Sequence, residues 1–126
     1  METILLSINP EFVEKIFDGT KKYEFRKRLA DKSVNRILIY ATIPIKQVVG
    51  EIRVLDTLSA SPTALWEITK KKAGISRKRF REYFKGCKIA YAYCLGDVVK
   101  YEFPKSLDDF GISIPPQSFI YLGEDV

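Results

Sequence analysis

Short apolar runs divide the chain into predicted strands. Runs of roughly four to eight apolar and β-branched residues, bounded by turn residues, are typical of buried strands. Such runs lie at residues 3–8 and 35–42, a longer third run covers residues 48–58, and a fourth lies at residues 118–122. Within the third run, Gly50 suits a β-bulge or a sharp bend of the sheet. Residues 90–103 predict two further short strands around a turn at Gly96 and Asp97.

Three other segments repeat apolar residues every three or four positions and therefore predict helices. In EFVEKIFDG the apolar residues share one face, and Gly19 stands where a helix takes its left-handed end. Two further helices, each preceded by a capping serine, are predicted at about 62–72 and 77–85. The second of these, RKRFREYFK, combines an apolar stripe with a strongly basic remainder.

The order of these elements predicts an α+β fold. Strands and helices do not alternate regularly, which favours a small mixed β-barrel with peripheral helices and a two-helix insertion over a doubly wound sheet. A chain of 126 residues without a repeat or a linker is expected to form a single domain over residues 1–126.

Composition narrows the class of protein. Apolar residues make up 46% of the chain and charged residues 29%, as in globular domains, and no apolar run is long enough to span a bilayer. The first residues, METILLSI, lack the basic start of a signal peptide. We therefore expect a cytoplasmic protein without a membrane partner.

The residue types present restrict the possible chemistry. The chain contains no histidine, which excludes imidazole-dependent triads and the common zinc sites. Cys87 and Cys94 are too far apart for a C-x-x-C motif, and buried free thiols are expected. No metal and no cofactor is predicted, so any chemistry must use Lys, Glu, Tyr or Ser.

Basic residues are concentrated in two segments. The net charge is +5, but 16 of the 21 cations lie within residues 21–36 and 70–88. Such clustering favours a polyanionic partner, above all nucleic acid, although cations also keep a small apolar protein soluble. The residues expected to hold a nucleic-acid backbone are Lys70, Lys71, Lys72, Arg77, Lys78, Arg79, Arg81 and Lys85.

The stretch GTKKYEFRKR at residues 19–28 places a lone carboxylate among cations. Glu24 and Arg26 lie two apart on a predicted strand, so they share a face and can form an ion pair. A carboxylate held between Lys21 and Arg26 stays ionised, accepts hydrogen bonds from base amino groups and orients the guanidinium for a phosphate or carbonyl. The alternative is a salt bridge that only braces the barrel.

These residues form the pattern G-x-K-x-x-E-x-R, which resembles the signature of ASCH domains, small barrels related to the PUA fold. The order of elements around the motif is similar too, and the resemblance covers nearly the whole chain. It implies a PUA-like fold and an RNA-binding domain with a nucleotide-sized cleft and a regulatory role in RNA metabolism or translation. RNA or a modified nucleoside would be the partner. In this interpretation the cleft is formed by Lys21, Glu24, Arg26, Ser7, Asn9, Tyr40, Thr42, Gln117 and Ser118.

The same resemblance leaves a hydrolase open as an alternative. Some ASCH members act as amidohydrolases on acetylated cytidine and others as nucleases, which would make Lys21 a nucleophile or general base and Glu24 a proton shuttle. This chain departs from the amidohydrolase pattern, because Glu24 replaces a threonine-type residue. The carboxylate expected before the second insertion helix is also absent from KKKAGIS. A third alternative is an interaction domain that binds a small ligand or an acidic protein.

Overall fold

A computed structural model describes residues 1–123, and this part of the chain forms six strands and three α-helices. The strands are β1 (Glu2–Ile8), β2 (Tyr23–Arg26), β3 (Val34–Ala41), β4 (Gln47–Ala60), β5 (Ala90–Lys105) and β6 (Phe119–Gly123). The helices are α1 (Pro10–Phe17), α2 (Pro62–Thr69) and α3 (Arg77–Tyr83), with short 3-10 turns at Lys70–Lys72 and Leu107–Phe110. The α+β class is the one predicted, and α2 and α3 form the two-helix insertion between β4 and β5.

All six strands belong to one sheet in the order β2-β5-β4-β3-β1-β6. β1 pairs in parallel with β3, and the other neighbours are antiparallel. Among residues 1–123 the ladders leave β2 and β6 as edges, so the expected closed barrel is not confirmed. The sheet is nevertheless strongly curved, as shown by the hydrogen bond that the Arg26 side chain on edge strand β2 donates to the Ser7 backbone oxygen on β1.

Strand β5 is one long strand, and the expected hairpin around Gly96 is wrong. A Cβ on Gly96 would lie 2.8 Å from Leu55 Cδ2, so the glycine permits close packing against β4 instead of making a turn. The β4–β5 register shifts on both sides of Val54, and these irregularities bend the strands without ending them.

The bulge expected at Gly50 is present. The register between β3 and β4 shifts between Ile39, which faces Gly50, and Tyr40, which faces Val48. A Cβ on Gly50 would collide with the Val99 backbone oxygen, so only glycine allows this approach of the strands.

The apolar residues fall into separate clusters on the two faces of the sheet. One cluster joins α1 to alternate residues of β1 and β3, such as Leu6 and Ile39. Tyr40 belongs to a cluster on the opposite face. A further cluster lies beneath the insertion and contains Phe25, Leu65, Ala73, Phe80, Phe84, Ala90 and Ala92. The insertion is thus anchored on β2 by the apolar stripe of α3, while its charged residues stay outside.

Candidate functional site

Lys21 lies in the interior of the protein. The chain leaves α1 through Gly19, whose φ of 84° is left-handed, and Lys21 then turns inward until only 2% of the residue is exposed. Its Nζ donates a hydrogen bond of 2.9 Å to the Ala73 backbone oxygen. The ammonium also lies 4.8 Å from the ring centre of Phe25 and 5.1 Å from that of Phe12, which favours a cation.

The segment between the insertion helices covers this lysine. Gly74 has a φ of 66°, and a Cβ there would collide with the Lys21 side chain. Its carbonyl oxygen accepts a hydrogen bond of 3.3 Å from Lys15 Nζ, and the Lys22 N–H donates to the Lys72 oxygen at 2.8 Å. The motif and the insertion are therefore fastened together along residues 72–74.

Glu24 is held between the two cations of the motif, as the sequence suggested. Arg26 Nη2 donates to Glu24 Oε2 at 2.7 Å, and Lys21 Nζ lies 4.0 Å from Glu24 Oε1. The Glu24 and Arg26 side chains are 8% and 16% exposed. Arg26 Nη2 also donates to the Ser7 oxygen at 3.1 Å, whereas its buried Nε has no partner among residues 1–123.

Burial changes the acid–base behaviour of Lys21. Desolvation lowers the pKa of its ammonium from 10.5 to about 8; Glu24 opposes the shift, and the charges of Lys15 and Arg26 add to it. A fraction of Lys21 is therefore a neutral amine near neutral pH, which is the form that acts as a base or nucleophile.

The remaining predicted cleft residues are spread over both faces of the sheet. Ser7 Oγ donates to the Pro116 oxygen at 2.7 Å, and Asn9 Oδ1 accepts from the Glu11 N–H as the cap of α1. Tyr40 is 4% exposed, and its hydroxyl donates to no described residue. Register places Glu24 beside Tyr93 on the face opposite Tyr40.

Three further predicted residues lie near the ends of β3 and β6. Thr42 is half-buried, and its N–H donates to the Ile8 oxygen at 3.1 Å. Gln117 and Ser118 are exposed just before β6. The Ser7 hydroxyl donates to the Pro116 oxygen, and the Ser7 backbone oxygen accepts from Arg26. The segment before β6 therefore lies at the end of β1, near Arg26.

The eight cations predicted for backbone binding are all exposed. Two of them are engaged in ion pairs, Lys70 with Glu67 at 2.7 Å and Arg79 with Glu11 at 2.8 Å. The other six make no ion pair within residues 1–123. They are Lys71, Lys72, Arg77, Lys78, Arg81 and Lys85. The outer side of the insertion therefore carries unneutralised positive charge.

Trp66 was not among the predicted site residues, but it borders a groove of about 360 Å³ between α2 and α3. Trp66, Phe80 and Phe84 form the apolar part of this groove, and three cations of α3 and its C-terminal end form its charged side. The sequence feature that could have revealed this groove is a tryptophan in the helix that precedes the basic amphipathic helix.

The main cavities do not reach the ion cluster. Within residues 1–123, none of the five main cavities is lined by Lys21, Glu24 or Arg26. In the same residues, no three carboxylates or thiols are grouped to hold a metal ion, and no helix is long and apolar enough to cross a bilayer.

The chain is similar in sequence to known proteins of different lengths. A protein named ATP synthase subunit alpha from Ureaplasma parvum is 35% identical over 122 residues, which are 96% of this chain but 15% of that protein. Large ribosomal subunit protein uL22 from the same species is 32% identical, with 96% of this chain and 39% of that protein covered. The chain thus spans less than half the length of these two relatives.

A third relative matches over most of both chains. An ASCH domain-containing ribonuclease from Zymomonas mobilis is 32% identical over 126 residues, covering 96% of this chain and 84% of that protein. The crystal structure of ASCH from Zymomonas mobilis superposes with a TM-score of 0.86 over 94% of this chain and 86% of that chain. Two further matched structures are variants of it, one with a tyrosine replaced by phenylalanine and one with a serine replaced by alanine.

The family model described as ASCH domain matches residues 6–104, which include the motif, the insertion and most of the sheet. The match and the superposed structures agree with the PUA-like α+β class that the motif implied. This chain belongs to the ASCH domain family.

Proposed function

We propose that this chain is an RNA-binding ASCH domain whose basic insertion holds the phosphate backbone. The observation that carries the proposal is the set of six exposed cations between Lys71 and Lys85 that form no ion pair with a described acid. Phosphates attract such cations without regard to sequence and release counterions on binding, so exposed and unpaired Lys and Arg are the favourable arrangement. The relative named a ribonuclease supports RNA as the polyanion.

The motif cluster would receive one nucleotide at its Arg26 end. Arg26 is the most exposed member of the cluster, and its buried Nε lacks an acceptor among the described residues. An unpaired buried donor is unfavourable, and an oxygen of a phosphate or a base carbonyl would satisfy it once neighbouring side chains shift to open access to the Nε. Glu24 keeps the guanidinium oriented during this contact. A modified nucleoside could bind in the same way, and the domain would then serve a regulatory role in RNA metabolism or translation.

Titration of a labelled single-stranded RNA, followed by fluorescence anisotropy, tests the proposal. We expect micromolar binding at low salt that weakens about 50-fold between 50 and 200 mM salt if four phosphates are contacted. A single-stranded DNA of the same length is the control for charge alone. Absence of binding at low salt would refute the proposal and favour an interaction domain for an acidic protein.

Sequencing of copurifying RNA tests the cluster separately. We expect specific RNAs to copurify with the wild type and to be lost from Arg26→Gln, while Arg53→Gln, an exposed arginine on β4, retains them. Equal RNA content in both variants would remove the cluster from the binding site and leave the insertion as the binding surface.

A ribonuclease or other hydrolase is the second candidate. It is favoured by the name of the Zymomonas relative and by Lys21, whose ammonium has a pKa of about 8 and lies beside the Glu24 carboxylate. The neutral amine would remove the proton of a ribose 2′-hydroxyl, whose oxygen would bond to the adjacent phosphorus and displace the 5′-oxygen. Glu24 would relay the proton to that leaving oxygen. Because Lys21 is enclosed by Phe25 and Gly74, this chemistry requires residues 72–74 to move away.

Cleavage of labelled single-stranded RNA tests the second candidate. Activity that is lost in Lys21→Met and absent on a 2′-deoxy substrate would rank the enzyme above the binding domain. Tyr40→Phe and Ser118→Ala belong in the same series, because hydroxyl groups of these types were changed in the Zymomonas variants. Release of acetate from acetylcytidine would instead identify an amidohydrolase. Intact RNA and acetylcytidine after long incubation would leave binding as the function.

A further inference from the structure

We propose that the groove between α2 and α3 is a stacking site for one unpaired RNA base, with Trp66 as the platform. Arg77, Arg81 and Lys85 would hold the phosphates on either side of that base. This inference rests on the proposed RNA binding and adds its location and its preference for single strands.

The aromatic part of the groove is rigidly supported. Trp66 is half-buried, and its ring centre lies 5.1 Å from that of Phe80 at an interplanar angle of 53°. Phe80 in turn packs on Phe84 at 4.8 Å, and both phenylalanines are almost fully buried. The indole is therefore fixed from one side, and its N–H donates to no described residue. A held aromatic surface that stays partly exposed is suited to base stacking.

The charged side of the groove comes from regular spacing on α3. Residues four apart on a helix lie on the same face, as Arg77 and Arg81 do on α3, and Lys85 follows just beyond the end of the helix at Tyr83. All three line the groove, are exposed and make no ion pair within residues 1–123. Glu67 on α2 forms its ion pair with Lys70 at 2.7 Å, and Arg77 attracts this carboxylate only as the last and smallest influence that lowers its pKa.

The shape and charge of the groove favour a nucleotide over other partners. Its volume of about 360 Å³ lies at the small end of the range for ligand sites, roughly 300–1,000 Å³. An aromatic wall beside a row of cations complements a flat base with flanking phosphates, whereas an acidic peptide would leave the indole without a stacking partner. In a duplex the bases are already stacked on each other, so only a single strand offers a free base.

Tryptophan fluorescence reports on this groove alone, because Trp66 is the only tryptophan of the chain. We expect a short oligouridylate to quench the emission along the same binding curve as the anisotropy of the labelled RNA. The corresponding duplex should bind through its phosphates with little quenching. Polyglutamate serves as the acidic control, and quenching equal to that by RNA would overturn the assignment to a nucleotide.

Variants separate stacking from charge and from folding. Trp66→Leu should weaken single-strand binding about tenfold, whereas Trp66→Phe keeps a ring against Phe80 and should lose less. Arg81→Gln should weaken binding more than Arg53→Gln on β4, which lies outside the groove. Circular dichroism and thermal unfolding of each variant show that the fold is retained.

The outcomes distinguish this inference from the function on which it rests. If labelled RNA binds while the emission stays constant, or if Trp66→Leu and Arg81→Gln bind as the wild type does, the stacking site is wrong and RNA binding stands. If labelled RNA does not bind even at low salt, the proposed function fails and the stacking site fails with it.

Discussion

Two charged regions of this domain contain the same residue types in opposite surroundings. The motif cluster of Lys21, Glu24 and Arg26 is largely buried and joined by short contacts. The basic insertion, residues 70–85, carries its cations on the outside, and six of them have no acidic partner among the described residues. The first region fastens β1, β2 and the insertion to one another and is open to a partner only at its Arg26 end, whereas the second is exposed to a partner along its length.

This difference shows that a charge pattern in the sequence does not by itself reveal a binding site. Buried charges are costly unless they are paired, so the cluster contributes to folding only as a complete set. Exposed cations contribute little to stability and much to the attraction of a polyanion. Substitutions in the two regions should therefore affect different measurements.

Loss of the central carboxylate should have the largest effect on stability. Glu24→Gln leaves two cations facing each other without a counter-ion, and we expect the free energy of unfolding to fall by about 3 kcal/mol. Urea denaturation measures this change. Glu82→Gln, an exposed glutamate on α3, is the matched control and should stay within about 0.5 kcal/mol. Equal effects of the two substitutions would show that the cluster does not stabilise the fold.

A methyl group added at Gly74, which packs on Lys21, should have the second largest effect on stability. Gly74 and Gly86 both have left-handed φ angles, of 66° and 83°, but only at Gly74 would a Cβ collide with the Lys21 side chain. We expect Gly74→Ala to cost about 2 kcal/mol more than Gly86→Ala in urea denaturation. The comparison cancels the backbone strain that both alanines share. A difference near zero would mean that residues 72–74 do not pack tightly on the lysine.

The pKa of Lys21 predicts a smaller, pH-dependent effect. Folding lowers this pKa from 10.5 to about 8, so between these values the unfolded chain binds the proton and the folded chain does not. Stability from this group therefore rises with pH above about 8, by at most about 1.4 kcal/mol per pH unit. Urea denaturation of the wild type and of Lys21→Met between pH 8 and 9.5 tests it.

The difference between the two curves isolates the lysine. Burial raises the pKa of Cys94, so this thiol contributes an opposite slope near pH 9. Cys94 is present in both proteins, and its contribution cancels in the difference. Parallel curves would mean that the lysine keeps an ordinary pKa in the folded state.

A single exposed cation should produce the smallest change. Lys78→Gln on α3 should leave the free energy of unfolding within about 0.5 kcal/mol. If Lys78 contacts a phosphate, the slope of log affinity against log salt should become shallower by about 0.7. Anisotropy titrations over a salt series measure the slope. An unchanged slope with unchanged affinity would place Lys78 outside the interface.

Much of the fold could be predicted from local patterns. The capping residues Ser61 and Ser76 precede helices as expected, because a side-chain oxygen accepts from a free backbone N–H of the first turn. Gly50 was recognised as a bulge because it is a glycine inside a predicted strand. Gly96 was misread as a turn because its role depends on Leu55, a residue of the neighbouring strand that no local pattern reveals.

The ion cluster was predicted in part. Spacing along β2 was sufficient to pair Glu24 with Arg26, since alternate strand residues share a face. The enclosure of Lys21 was not foreseen, because it depends on Ala73 and Gly74 from the distant insertion. The groove at Trp66 was missed for a related reason, as it forms only when α2 packs on α3.

Amide chemical shifts during titration with a short oligouridylate test the central claim most directly. If the exposed insertion binds RNA, the largest shifts should fall in residues 62–85, with a smaller response of the Arg26 side-chain Nε–H signal. Shifts confined to Tyr40, Thr42 and the residues around Ser118, with none in the insertion, would contradict it.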